Sequence, residues 1–152
     1  MDDWKKDRIG SALRGENPTV IARMKTGFAV IGDTQFLPGY CLLLSYPTAG
    51  SLNDLDAWAR KDFLFDMSLI GDAITGVCKP LRINYEILGN TDPYLHAHIF
   101  PRYDWEEEER RILPVWLYPR ERWNEYQFSE ERYGHLKQQL RVKLKELMDR
   151  YY

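Results

Sequence analysis

Residues Tyr94 to Phe100 read Tyr-Leu-His-Ala-His-Ile-Phe. This alternation is the period of a half-buried strand. Successive side chains of a strand point to opposite faces. Leu95, Ala97 and Ile99 therefore face a core, and Tyr94, His96 and His98 project together toward solvent or a ligand. Two imidazoles on one strand face suit three roles. They are incidental strand residues, or they handle a phosphate, one as nucleophile and the other as donor to phosphoryl oxygens. In the third role they hold a metal ion, for which zinc needs a further ligand. The remaining histidine, His135, falls on a terminal helix, and a carboxylate sought at 102 or 103 meets Arg102 and Tyr103 instead.

The rest of the chain supplies the layers. Thr19–Met24 and Gly27–Ile31 read as two short strands about a Lys25-Thr26-Gly27 turn, followed by a turn at 32–35. Pro38-Gly39 punctuates, and Tyr40–Tyr46 reads as a buried strand. Ser51 is the expected N-cap of a long helix, with Leu52, Leu55, Ala59, Phe63, Met67, Ile70, Ile74 and Val77 on one face and Gly76 and Pro80 ending it. Leu81–Leu88 alternates again, with Leu81, Ile83, Tyr85 and Ile87 opposite Asn84 and Glu86. Residues 89–93 form a turn. Residues 101–128 read as an ordered but irregular tail, with Trp105, Trp116 and Trp123 as its packing, and Ser129 caps a final helix. Residues 1–17 are polar, with a weak helical pattern at Trp4, Ile9 and Leu13. Strands, hairpins and helices together give an α+β class with an antiparallel sheet.

Composition removes other classes. Lys plus Arg is 21 against 23 Asp plus Glu, a net charge of -2, which disfavours a protein that coats nucleic acid. No apolar run reaches transmembrane length, and Met1-Asp2-Asp3 opens a segment without a signal-peptide core. Cys41 and Cys78 both sit in apolar runs and read as buried thiols of a cytoplasmic protein. Glu106–Glu109 with Arg110-Arg111 reads as a solvated charge run. Arg102 either reaches a phosphate or pairs with a nearby Glu.

Residues 20–103 resemble the histidine triad (HIT) family of nucleotide hydrolases and transferases. The likeness rests on Tyr94–Phe100 with Pro101-Arg102, on Phe28-Ala29-Val30 with Asp33, and on Leu37-Pro38-Gly39-Tyr40 leading into Cys41–Leu44. The long helix and the Asn84 strand follow in the family's order. The chain departs from the pattern in three places: Tyr94 replaces the first histidine, Gly89-Asn90 replaces the usual Gly-Gln, and Tyr40 stands where many members carry His.

The resemblance implies a HIT-like domain over residues 1–118 and a helical extension of that domain over 119–152. It implies that His96 attacks the α-phosphorus of a nucleotide and that His98 contacts phosphate. Asn84, Asn90 and Thr91 would meet the phosphate and leaving group, and Asp33 the ribose. The backbone carbonyl of residue 94 would fix the attacking tautomer. It further implies a homodimer, and chemistry needing neither cofactor nor metal. The bond cleaved would be a phosphoanhydride or phosphoramidate, with diadenosine tetraphosphate-type substrates as the leading class. A binding module that lost turnover through Tyr94, and a His-x-His metal domain, are the other readings.

Overall fold

A computed structural model describes residues 3–152; the opening Met1-Asp2 of the polar N-terminal stretch lies outside them. Five antiparallel strands form one sheet: β1 (Val20–Met24), β2 (Gly27–Ile31), β3 (Cys41–Ser45), β4 (Arg82–Glu86) and β5 (His96–Arg102), in the order β1-β2-β3-β5-β4. The helices are α1 (Arg8–Leu13), α2 (Ala57–Cys78), α3 (Glu108–Arg111), α4 (Arg120–Glu125) and α5 (Glu130–Tyr151). The α+β architecture matches the class read from the sequence. Among the described residues no helix is long and apolar enough to cross a membrane.

The two long helices cover one sheet face. Ala29 and Ile31 of β2, Cys41 and Leu43 of β3, and Ala97 and Ile99 of β5 pack with Phe63, Leu69, Ile70 and Ile74 of α2 and with Leu140, Leu144 and Leu147 of α5. Two polar devices tie the helices to the sheet. Asp66 on α2 is buried and accepts from both the N–H and the hydroxyl of Thr26 in the β1–β2 turn. Arg141 on α5 donates to the carbonyls of Val20 and Ile21 on the edge strand β1.

Some element ends differ from the sequence expectation. Ser51 makes no side-chain cap and precedes only a 3-10 turn, Leu52–Asp54, because Leu55 is extended. The helix starts at Ala57, where the Asp56 carboxylate accepts from the Ala59 N–H at 2.8 Å. Gly76 does not end it; Lys79, in the left-handed region at φ 53, does. The β5 ladder begins at His96 and runs through Pro101 to Arg102.

The opposite sheet face is covered by segments from both ends of the chain. Ile9 and Ala12 of α1 lie against Phe28, Val30 and Leu44. Residues of the tail, Val115 and Tyr118 among them, pack with Phe36, Leu37, Tyr40, Phe100 and Tyr103. The tail is not irregular throughout, since it holds α3, a 3-10 turn and α4. Its anchor is Arg102, buried and bound to Glu106, Asn84 Oδ1 and the carbonyls of Arg110 and Leu113. Burial alone would raise the Glu106 carboxyl. Hydrogen bonds from Arg102, Tyr118 and the Tyr103 N–H instead hold it below the usual carboxylate range. Arg102 thus pairs with a glutamate, and Glu106 belongs to the interior rather than to a solvated charge run.

Candidate active site

The ladder sets the site's coordinates. Leu42 of β3 lies opposite His98 and Leu44 opposite His96, and Glu86 of β4 flanks His98 on its other side. All of these side chains rise from the face that the long helices leave free. The imidazoles of His96 and His98 stand 5.0 Å apart, centroid to centroid.

Each imidazole has a different partner on Nδ1. His96 Nδ1 lies 2.8 Å from the Tyr94 carbonyl oxygen. A carbonyl only accepts, so Nδ1 carries the proton and Nε2 the lone pair. His98 Nδ1 lies 2.7 Å from the Tyr40 hydroxyl. Burial pushes the Tyr40 phenol well above its ordinary value, so it keeps its proton and donates. The His98 proton therefore sits on Nε2. Burial, with His96 as the smaller cause, lowers His98 from 6.5 to about 4, so it is neutral at pH 7. The pair presents one nucleophilic nitrogen beside one N–H donor.

Tyr40 reaches His98 because of the loop before it. Gln35 is buried and binds this loop to itself, donating to the carbonyls of Gly32, Thr34 and Tyr40 and accepting from the Gly39 N–H. A Cβ at Gly32 would stand 2.3 Å from the Tyr40 ring, so only glycine leaves the ring its place. The same loop presents Asp33, which takes a two-pronged contact from Arg8 of α1, at 3.0 Å and 2.5 Å.

Two chambers meet at the histidines. The first, about 210 Å³, has an apolar floor of Val30, Leu42 and Leu44 and is bounded by Asp33, Thr34 and Trp123. Among the described residues the buried Thr34 Oγ1 has no hydrogen-bond partner. The second chamber, about 350 Å³, is lined by Leu88, Asn90, Thr91, Asp92 and Trp116. The turn that carries Asn90 and Thr91 needs a left-handed residue, supplied by Gly89 at φ 74.

Of the residues singled out in the sequence, Tyr94, His96, His98, Asp33, Asn90 and Thr91 are all brought to these chambers. Asn84 lines neither, and its Oδ1 is taken by Arg102. His96 is buried rather than a surface residue of its strand. Trp116 and Trp123, read as tail packing, line one chamber each. Arg8, Thr34 and Tyr40 complete the site, and of these only Tyr40 carried a signal, as a family position usually held by His. Among the described residues no three His, Cys, Asp or Glu side chains group to hold a metal ion.

No protein-family model and no curated protein sequence matches the chain. Solved structures do. A histidine triad protein from Bradyrhizobium japonicum superposes with a TM-score of 0.68 at 23% identity, covering 82% of this chain and 89% of that one. One from Marinobacter aquaeolei gives 0.70 at 20% identity, over 84% and 89%. The chain has the histidine triad fold. The diadenosine triphosphate hydrolase of Plasmodium falciparum shares this histidine triad fold, with a TM-score of 0.62 at 17% identity over 85% of this chain and 78% of that one.

Proposed function

We propose that the protein is a histidine triad enzyme that transfers a nucleotidyl group from a phosphoanhydride or phosphoramidate to His96 and then to water. One observation carries this reading: the Tyr94 carbonyl holds the His96 proton on Nδ1 and leaves the Nε2 lone pair free. The family position that Tyr94 alters is a side chain, whereas the tautomer depends on the backbone. The substitution therefore leaves the nucleophile intact, which favours turnover over a binding module. The fold shared with a diadenosine triphosphate hydrolase supports the same chemistry.

The atoms balance in two steps. The Nε2 lone pair of His96 forms the N–P bond, and the bond to the leaving group breaks with its electron pair on the departing atom. A departing nitrogen also takes a proton from solvent. The His96 ring, now on phosphorus and still protonated at Nδ1, is cationic, and the Tyr94 carbonyl faces that charge. Water then attacks phosphorus, loses a proton to solvent, and His96 leaves as the neutral imidazole. Charge on the transferring phosphoryl oxygens is met by the His98 Nε2–H, with the Thr91 hydroxyl and the Asn90 amide as further donors. The nucleoside lies in the first chamber, its ribose at Asp33 and its base over Val30, Leu42 and Leu44. The Thr34 hydroxyl, unpartnered among the described residues, supplies a polar contact there.

Diadenosine polyphosphates and nucleoside phosphoramidates both fall within this reading. A homodimer and a cytoplasmic location belong to the same proposal; sedimentation velocity of the purified chain tests the first. The function itself is tested by quenching the enzyme during turnover and mapping the adduct by mass. A nucleoside monophosphate adduct on His96, absent from His96→Ala, is expected. Turnover with no adduct on His96 would contradict the proposal.

A further inference from the structure

Helix α1 lies outside the stretch that resembles the histidine triad family, yet it reaches the site through Arg8, its first residue. Several contacts fix that residue. Asp7 caps the helix, accepting from the Gly10 N–H at 2.9 Å. The Arg8 carbonyl accepts from the Asn17 amide and the Ser11 hydroxyl, both at 3.1 Å, and both partners are buried. Ile9 and Ala12 seat the helix on Phe28, Val30 and Leu44. The guanidinium lies 5.3 Å from the centre of the Trp4 ring and makes its two-pronged contact with Asp33. An arginine held in this way loses most of its rotamer freedom before a ligand arrives.

Arg8 also decides the charge of the site. Among the described residues, Asp33 and Asp92 are the carboxylates that line the two chambers, and Arg8 is the one lysine or arginine. The other donors assigned to the phosphate, the His98 Nε2–H, the Thr91 hydroxyl and the Asn90 amide, are neutral. An anion arriving at His96 thus has one fixed cation to meet, with the Asp92 carboxylate opposing it. A guanidinium has five N–H donors; Asp33 takes two, and among the described residues no acceptor meets the other three. Each Asp33 oxygen keeps a second lone pair, so a ribose hydroxyl shares the carboxylate with Arg8 rather than displacing it.

We propose that Arg8 is a phosphate-binding residue of this site: oriented by Asp33, its free N–H groups donate to the non-bridging oxygens of the phosphate at His96. The inference rests on the nucleotidyl-transfer reading and adds to it a cation from outside the family's common stretch. Arg8 makes and breaks no covalent bond and keeps its protons throughout. It meets the charge on the phosphoryl oxygens while the N–P bond forms and again while water cleaves it. Asp33 then has two tasks, accepting from the ribose and aiming the guanidinium.

The test is titration calorimetry with two probes that differ only in the phosphate, adenosine and adenosine 5′-monophosphate. Wild-type protein is expected to bind the monophosphate more tightly. Arg8→Gln is expected to weaken the monophosphate by about ten- to a hundredfold, the worth of a charge-assisted hydrogen bond, and to leave adenosine within about twofold. Arg8→Lys, which keeps the charge without the fork, should fall between the two proteins. Arg8→Met, which keeps the apolar stem, repeats the test should the Gln variant fail to fold, and a thermal melt of each variant checks this. A residue that merely docks α1 would, on removal, weaken both probes alike. An equal loss of both probes, a ratio unchanged by the substitutions, or a wild-type protein that binds the monophosphate no better than adenosine would overturn the proposal and leave nucleotidyl transfer to His96 standing. Wild-type protein that binds neither probe would remove the adenine-nucleotide reading, and this proposal with it.

Discussion

On the helix side of the sheet, every strand contributes small or aliphatic residues, and two long helices close over them. On the other side, the same strands carry Phe28, Leu44, His96, His98 and Phe100, covered by a short N-terminal helix and by the tail. The first face buries a continuous apolar core, whereas the second interrupts its apolar floor with imidazoles and leaves chambers beside them. One sheet thus separates stability from chemistry. A substitution in the helix-face core should change folding and spare the site, and one at the reacting histidine of the open face should change turnover and spare the fold.

The largest expected break in that comparison is His96→Ala. Turnover should fall by on the order of a thousandfold or more, as removal of a nucleophile does, with cooperative unfolding retained. Steady-state kinetics beside a thermal melt check both halves. Near-normal turnover by the folded variant would remove His96 from the chemistry.

Leu140→Ala is the counterpart on the helix face. Leu140 is fully buried between α5 and the core. Its truncation should destabilise by about 2–5 kcal/mol, read from urea unfolding, while kcat of the folded fraction stays within about twofold. A large loss of kcat in folded protein would show that the faces are coupled.

The third break is through pH. The folded His98 value lies at about 4, below its ordinary 6.5. Between those values the unfolded chain binds more protons than the folded one, so stability falls as pH drops from about 6.5 toward 4 and levels off below. The loss attributable to His98 at pH 5 is roughly 1–2 kcal/mol. Comparing urea midpoints of wild type and His98→Gln at pH 7 and pH 5 isolates it. An equal pH dependence in both proteins would contradict the burial account.

How legible each face was in the sequence follows the same division. The helix face was read from period alone, since residues three and four apart on α2 and two apart on β5 announce a shared surface. Helix starts were less legible: Ser51 and Asp56 are both good caps, and only the extended backbone at Leu55 decides between them. On the open face, His96 and His98 were visible as a pattern. The Tyr94 carbonyl beside His96 followed from the family resemblance, whereas the Tyr40 partner of His98 and the Arg8 partner of Asp33 were not visible, because they lie 58 and 25 residues away in sequence. Asn84 faces the correct side of β4, but a nearby Glu was the only protein partner that the sequence suggested for Arg102, and the structure gives Arg102 the Asn84 amide as well. Trp116 and Trp123 were indistinguishable by sequence from Trp105, which stacks on Tyr103 outside both chambers.

The smallest expected effect is at Tyr94. Its ring lies beside His96 at 4.8 Å, but the contact that matters comes from its backbone. Tyr94→Phe and Tyr94→His should therefore each lose about tenfold or less in kcat/KM. If the phenol protonated the leaving group, Tyr94→Phe would cost roughly 10²–10⁴, and most with poor leaving groups. Single-turnover rates with a poor leaving group separate the two.

The account turns on two neighbouring imidazoles held in opposite tautomers, one by a backbone carbonyl and one by a buried phenol. Long-range ¹⁵N–¹H NMR of histidine-labelled protein at pH 7.5 reads this directly. The account predicts His96 protonated at Nδ1 and His98 protonated at Nε2, with the His98 signal reverting to a mixture in Tyr40→Phe. A His96 ring protonated at Nε2 in the folded protein would leave no lone pair facing the cleft and would contradict it.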